Sequence, residues 1–306
     1  RQEKEFGAKP QAAEYRRRKE QALRDLQQLI ESDERAQRAI LDSVQRKIKD
    51  FQYQPESVPF ELFQNADDAL RHLELIDAYP AQPGDLDVDE LPAGIRRFVM
   101  EADTNQIAFM HWGRAINQFG SRGFPGRERG FDRDLENMLI LSASDKGEDV
   151  TGKFGLGFKS VWLVSDQPTI VSGRLQARIV GGVLPVANHE EITQSLVVRL
   201  AERQPDRRWP GTAIHLPLLG DVSEETVLDR FCNVAGTMVA FSRSLRTVEV
   251  QRSNGSGFSA SWEPRVLHGV EGIQLGRIRQ SDGDRLLAMK IALEDDYFVS
   301  RKLYPN

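Results

Sequence analysis

A glycine-rich stretch near the middle of the chain restricts the possible folds more than any other sequence feature. It reads Gly152-Lys153-Phe154-Gly155-Leu156-Gly157-Phe158-Lys159-Ser160. Glycine lets a backbone approach a phosphate closely, and exposed N–H groups before a helix form a cradle for an anion. The spacing is neither the G-x-G-x-x-G of dinucleotide-binding folds nor the G-x-x-x-x-G-K-[ST] of P-loops. The stretch therefore predicts a phosphate-binding turn outside these two fold classes.

A second informative segment precedes it, an amphipathic helix predicted from about residue 60 to residue 78. At about 100° per residue, Glu61, Asn65 and Asp68 share one polar stripe of this helix. A carboxylate one turn from a carboxamide could form a magnesium and water site, in which the Asn oxygen ligates the cation and the carboxylate activates water. Taken alone, such a stripe is more often a solvent-exposed face, so the interpretation depends on the glycine-rich stretch.

Three motifs in this order resemble the GHKL ATPase superfamily of gyrase, the ninety-kilodalton heat-shock chaperone, histidine kinases and the mismatch-repair ATPase. Residues 61–69 resemble its first helix motif, residues 152–160 its glycine-rich lid motif, and residues 211–216 its late Gly-Thr strand. The resemblance covers roughly residues 55–253 and looks most like heat-shock-chaperone and sacsin-type N-terminal ATPase domains. It implies a Bergerat-type two-layer α/β sandwich, in which a mixed sheet carries helices on one face.

The resemblance also implies a role for each matching residue toward ATP and Mg²⁺. Glu61 would be the general base, Asn65 the magnesium ligand, Asp68 part of the nucleotide wall, and Thr212 a contact near the adenine edge. Residues 113–150 would form a lid. The implied phosphate cradle consists of Gly152, Lys153, Phe154, Gly155, Leu156 and Gly157. Lys146, Lys153 and Lys159 are candidate phosphate contacts, and each is as readily a surface lysine.

One position departs from the family pattern. The adenine-reading motif normally supplies Asp-x-Gly, whereas this chain has His111-Trp112-Gly113. A neutral imidazole can still accept a hydrogen bond from the adenine amine through its unprotonated nitrogen. We therefore expect His111 and Gly113 to line the nucleotide site, with the base specificity left open. The alternative is that His111 is a packed polar residue at a strand end.

Composition restricts the partners and the compartment. The chain has 41 basic and 46 acidic residues, and its net charge of −5 does not indicate nucleic-acid binding. The longest apolar runs, such as residues 161–164, are far shorter than the roughly 18 residues of a membrane span. A single cysteine, Cys232, excludes an internal disulfide framework and favours a reducing cytoplasm.

The residue pattern predicts a helical arm over residues 1–50, an ATP-binding domain over 51–253, and a β-rich extension or the start of another domain over 254–306. We expect the arm to form one or two helices packed on the next domain, with a dimerising coiled coil as the alternative. Further helices are predicted at 132–142, 152–164 and 223–245. Strands are predicted at 95–102, 106–112, 169–172, 177–180, 196–200, 212–216 and 247–252.

These features together predict a magnesium-dependent ATP-binding module. Slow hydrolysis would drive lid closure in a larger chaperone-like or clamp-like protein, with a downstream domain or protein partner and a possible homodimer. Glu61 disfavours the histidine kinase branch, because phosphotransfer to histidine uses the acceptor imidazole and usually lacks this glutamate. The alternative is a nucleotide-sensing module without significant hydrolysis.

Overall fold

The computed structural model describes residues 10–77, 92–119, 126–139, 157–204, 209–265, 273–281, 283–291 and 299–304. These residues form an α/β fold with one large mixed sheet. The α-helices of the described residues are α1 (Pro10–Ser32), α2 (Glu34–Asp50), α3 (Val58–Asp77), α4 (Asp134–Leu139), α5 (Glu191–Arg203) and α6 (Glu224–Phe241). None of them combines the length and the apolar character that crossing a bilayer requires.

The strands of the described residues are β1 (Arg97–Asp103), β2 (Gln106–His111), β3 (Thr169–Ser172), β4 (Leu175–Val180), β5 (Leu184–Ala187), β6 (Thr212–Pro217), β7 (Thr247–Arg252), β8 (Gly257–Arg265), β9 (Ile273–Gln280), β10 (Gly283–Ile291) and β11 (Val299–Tyr304). Their order in the sheet is β11-β10-β9-β8-β7-β1-β2-β6-β3-β4-β5. Among these strands β1 and β7 pair in parallel, and each other neighbouring pair is antiparallel. The α/β class and the mixed sheet are as predicted.

Helices α3 and α6 cover one face of the sheet centre. Phe63 of α3, Phe98 of β1 and Phe231 of α6 are buried together, with ring centroids between 5.7 and 6.4 Å apart. Each buried aromatic side chain contributes about 1.5–3 kcal/mol by removal of apolar area from water. Packing of this aromatic group fixes the position of α3 over β1 and β2.

Helix α5 packs on the opposite face, so the prediction of helices on one face only is wrong. Its Leu196 and Leu200 are buried with Val99 and Met110, and the Trp112 indole donates to the carbonyl of Leu200 at 3.2 Å. The strand predicted at 196–200 is also wrong, because these residues belong to α5. Two adjacent valines favour a strand locally, but apolar residues four apart form one helical stripe that the sheet buries.

The N-terminal arm, predicted as one or two helices, forms two helices within the described residues, and α2 packs on the domain. Leu41, Val44 and Ile48 are buried in the main core with Trp162. The Gln45 amide donates to the carbonyl of Trp162 at 2.8 Å. Helix α2 therefore lies directly on the segment that contains the end of the glycine-rich stretch.

That segment is a 3-10 helix, Phe158–Leu163, within the helix predicted over 152–164. The helix predicted over 132–142 is shorter in the described residues, where it is α4 preceded by a 3-10 turn. Strand β5 is not among the predicted strands. The remaining predicted strands and the helix after Ser223 are confirmed, and the Ser223 hydroxyl caps α6 by accepting from the N–H of Thr226 at 3.3 Å.

Strands β8–β11 form a β-rich extension that continues the same sheet. Strand β8 pairs with β7 in antiparallel register, and β9–β11 follow outward. Ala260, Trp262 and Ile278 are buried in the same core as α6. The first of these strands therefore share the apolar interior of the preceding residues.

The Asp67 carboxylate joins α3 to the turn that follows α6. It accepts a hydrogen bond from the Ser242 hydroxyl at 2.5 Å and from the N–H groups of Arg243, Ser244 and Leu245 at 2.8 to 2.9 Å. Asp67 lies beside the predicted site residue Asp68, but its contacts are structural.

We predict that Asp67→Ala lowers the free energy of unfolding by about 2–4 kcal/mol, because three backbone N–H groups lose a charged acceptor. The exposed neighbour Asp68 provides a matched control, and Asp68→Ala should change stability by less than about 0.5 kcal/mol. Urea denaturation at pH 7 measures both values. Equal unfolding midpoints for the two variants would contradict the structural assignment of Asp67.

Candidate functional site

The predicted polar stripe lies on the N-terminal half of α3. Glu61 is half-buried, whereas Asn65 and Asp68 are exposed. A 3-10 turn, Pro55–Ser57, leads directly into α3 and fixes where the helix begins. The stripe is therefore present as predicted, with its carboxylate at the inner end and its amide one turn further along.

Gly157 lies against this stripe. A Cβ atom added to Gly157 would be 2.6 Å from Oε2 of Glu61 and 3.9 Å from Oδ1 of Asn65. The φ and ψ angles of Gly157 are −48° and −63°, which any residue adopts, so the backbone conformation does not require glycine. A side chain at this position would force the end of the Glu61 side chain to move. The end of the glycine-rich stretch and the first helix motif are thus in contact.

The other predicted residues of the phosphate cradle fall outside the described residues. They are Lys146, Gly152, Lys153, Phe154, Gly155 and Leu156. Of the predicted lid, residues 113–119 and 126–139 are described. The contact between Gly157 and α3 is therefore the part of the cradle that the structure defines.

Lys159 is buried and is not a surface lysine. Its side chain is 2% exposed, and Nζ donates to the carbonyl of Asn137, which lies in α4, at 3.5 Å. Burial, with a smaller contribution from the charge of Lys47, lowers the pKa of Lys159 to about 8. Its ammonium lies within the interior next to the predicted lid.

At Gly113, directly after β2, the chain packs closely against the backbone of α3. A Cβ atom added to Gly113 would lie 2.6 Å from the backbone of both Ala69 and Leu70, and the Arg114 N–H donates to the carbonyl of Ala69 at 2.9 Å. The Arg114 guanidinium makes two hydrogen bonds to Asp134, at 2.7 and 3.0 Å. The start of the predicted lid is therefore fixed to α3 one residue beyond Asp68.

His111 ends β2 and is only 8% exposed. Its Nδ1 accepts a hydrogen bond from the N–H of Gly113 at 3.2 Å, which assigns the ring proton to Nε2. Burial lowers the pKa of His111 to about 4, so the ring is neutral at pH 7. In this arrangement Nε2 is the donor, and acceptance of a hydrogen bond from the adenine amine by His111 stays a prediction.

Thr212 extends a buried polar row from His111 across three strands. His111 pairs with Thr212 of β6, and Thr212 pairs with Ser172 of β3. The hydroxyls of Ser172 and Thr212 are 2.6 Å apart, and Ser172 also accepts from the N–H of Ile116 at 2.9 Å. Alternation along the strands puts the row on the face that α3 covers. Ser172 is not among the predicted site residues, because only the strand register places it beside Thr212.

Tyr53 was likewise not predicted as a site residue. Its side chain is partly buried against the main core. Burial, followed by the neighbouring charge of Glu61, raises the pKa of Tyr53 to about 12. Burial also raises the pKa of Glu61, and the nearby Tyr53 side chain opposes that rise. Tyr53 lies eight residues before Glu61, outside the helix, so no helical spacing relates the two.

The side chains near Asn65 could hold a magnesium ion only if phosphate oxygens and water provided its other ligands. No group of three or more His, Cys, Asp or Glu side chains in the described residues could bind a metal by itself. The exposed Oδ1 of Asn65 is the kind of hard oxygen ligand that Mg²⁺ accepts while its other ligands are water and phosphate oxygens.

No protein-family model matches this chain, and no curated protein matches it either. The chemical interpretation of the site therefore depends on the geometry of α3, Gly157 and the polar row. The GHKL resemblance of the three motifs remains a proposal.

Between pH 7 and pH 5, we predict that proton uptake by His111 in the unfolded chain lowers the free energy of unfolding by about 2 kcal/mol. The reason is that its pKa is about 4 in the folded chain and about 6.5 in the unfolded chain, so the unfolded state binds more protons as the pH falls. His111→Asn should remove this part of the pH dependence. Chemical denaturation at several pH values measures the slopes, and equal slopes for the wild type and His111→Asn would contradict the prediction.

Proposed function

We propose that this chain is a magnesium-dependent ATP-binding module of the GHKL type, whose slow hydrolysis drives lid closure in a larger chaperone-like or clamp-like protein. The observation that carries this proposal is the contact of Gly157 with Glu61 and Asn65. Phosphate hydrolysis needs a close-approach backbone, a carboxylate near water and a hard oxygen ligand in one place. Two motifs about 90 residues apart in the sequence provide these three features at one point.

The fold supports a Bergerat-type core as part of the same proposal. Helices α3 and α6 cover one face of the central strands, and the polar row of His111, Thr212 and Ser172 is on that face. The additional strands β8–β11 and the helix α5 make the architecture larger than a simple two-layer sandwich. We assign the Bergerat type to the part around β1, β2, β6 and α3.

Each residue of the site has a distinct chemical task in this proposal. Glu61 orients the attacking water and accepts its proton, and its raised pKa makes the carboxylate a stronger base than an exposed one. Asn65 provides a magnesium ligand, and bound Mg²⁺ neutralises charge on the phosphate oxygens. Gly157 contributes a backbone without a side chain, so that a phosphate can approach Glu61.

The part of the site that would bind the nucleotide base has His111 where the family pattern has an Asp. His111 presents a hydrogen-bond donor there, whereas a carboxylate would present an acceptor. The Nε2–H of His111 is a donor, which matches an acceptor such as N1 of adenine or O6 of guanine. Selectivity for adenine over guanine is therefore weaker in this proposal than a carboxylate would provide. Thr212 and Ser172 complete the polar row at the same level of the sheet.

The proposal includes a cytoplasmic location and a protein partner or downstream domain. The single half-buried Cys232 is compatible with a reducing compartment, and the net charge of −5 gives nucleic acid no support. Hydrolysis is slow because a domain of this type commonly needs a basic residue from elsewhere to stabilise the γ-phosphate. A homodimer is one way to supply it.

The proposal predicts ATP binding that requires Mg²⁺ and the Asn65 amide. We expect Asn65→Ala to weaken Mg·ATP binding by about tenfold or more, since it removes a metal ligand. Gln64 is an exposed amide next to Asn65 on α3, and Gln64→Ala should change the affinity by less than about twofold. Calorimetric titration with and without Mg²⁺ measures both. Absence of ATP binding by the wild type, or equal affinities for the two variants, would refute the proposal.

Phosphate release distinguishes hydrolysis from nucleotide sensing. Compared with the wild type, the Glu61→Gln variant should retain ATP binding and reduce steady-state phosphate release by about a hundredfold. A wild type that binds Mg·ATP without Glu61-dependent phosphate release would instead be a nucleotide-sensing module.

A further inference from the structure

The 3-10 helix Phe158–Leu163 connects the N-terminal arm to the candidate site. We propose that Gln45 of α2 is a positioning residue, which acts through this helix to hold Gly157 against the Glu61 carboxylate. The inference deepens the proposed function and rests on it. Gln45 lies outside the three motifs that carry the GHKL resemblance. The arm therefore contributes to the site as well as to the core.

The first turn of the 3-10 helix is bound to Gly157 by two hydrogen bonds. Ser160 is fully buried, and its hydroxyl donates to the carbonyl of Gly157 at 2.8 Å. The Ser160 N–H donates to the same carbonyl at 3.2 Å. A Cβ atom added to Gly157 would be only 2.6 Å from Oε2 of Glu61. A displacement of the 3-10 helix would therefore move Gly157 relative to the Glu61 carboxylate.

The other end of the 3-10 helix is held by α2. The Gln45 amide donates to the carbonyl of Trp162 at 2.8 Å and to the Asp166 carboxylate at 3.3 Å. The Arg38 guanidinium, also of α2, pairs with Asp166 at 2.5 Å. The last carbonyl groups of a helix lack donors within the helix, and Trp162 is fully buried. Gln45 therefore provides a donor that water does not readily replace.

Apolar packing encloses the 3-10 helix but does not by itself fix its position. Val44 and Ile48 of α2 are fully buried in the same core as Phe158 and Trp162, whose rings pack edge to face with centroids 6.4 Å apart. Hydrophobic contacts are non-directional, whereas a hydrogen bond requires a particular distance and angle. The Gln45 hydrogen bond therefore selects one position of the 3-10 helix among those that apolar packing allows.

Loss of this donor should reduce the fraction of molecules in which Gly157 lies against Glu61. A ligand that binds only the competent arrangement has an apparent affinity reduced by that fraction. Gln45 acts on the nucleotide site in this way although its own hydrogen bonds are to Trp162 and Asp166.

The test is Gln45→Met, which keeps the length of the side chain and removes the donor. We expect the Kd of Mg·ATP to rise about three- to tenfold, the effect of one net hydrogen bond. Gln45→Lys restores a donor beside the Asp166 carboxylate and should keep the Kd within about twofold of the wild-type value. Gln194 is exposed on α5, and Gln194→Met is the matched control that should leave the Kd unchanged. Calorimetric titration of the full chain measures all four proteins.

A second readout does not require ATP. Labelling with ¹⁵N-glycine gives the amide NMR signal of Gly157, which is assigned by its loss in Gly157→Ala. This signal should shift in Gln45→Met, return to the wild-type position in Gln45→Lys and stay unchanged in Gln194→Met. An unshifted Gly157 signal in Gln45→Met, or an unchanged Kd for that variant of a chain that binds Mg·ATP, would overturn the inference. A wild type that does not bind Mg·ATP contradicts the proposed function, while the Gly157 signal still decides the role of Gln45.

Discussion

The packing of helix α3 against the centre of the sheet is the constraint on which the rest of the structure depends. Its inner face buries Leu62, Phe63 and Ala66 over β1 and β2, and Asp67 fastens it to the turn after α6. With the helix fixed in this way, its outer stripe is fixed as well. The positions of Glu61 and Asn65 therefore follow from apolar packing on the opposite side of the same helix.

Two glycines use that fixed helix as a surface for close approach. Gly113 lies against the backbone of Ala69, and Gly157 lies against the side chains of Glu61 and Asn65. At Gly113 a methyl group would overlap with the backbone of α3, so the absence of a side chain lets the chain reach the helix there. At Gly157 a methyl group would instead displace the end of the Glu61 side chain. The start of the predicted lid and Gly157 of the glycine-rich stretch therefore both lie against α3.

Much of the secondary structure and the polar stripe of α3 could be predicted from the sequence, because both depend on local periodicity. The stripe of α3, the Ser223 cap and strands β1 and β2 follow from spacing and capping preferences. Residues 196–200 were mispredicted because their valines favour a strand locally, whereas burial against β1 and β2 selects a helix. Ser172 was missed because its contact with Thr212 depends on the register of two separate strands. The donor character of His111 depends on a hydrogen bond with Gly113 that no spacing reveals.

The most direct test of the account is a crystal structure of this chain with Mg²⁺ and a non-hydrolysable ATP analogue. The account predicts that the γ-phosphate lies between Gly157 and Glu61, that Oδ1 of Asn65 ligates the magnesium ion, and that the base lies beside His111 and Thr212. A nucleotide bound on the α5 face of the sheet, or bound without any contact to α3, would contradict it.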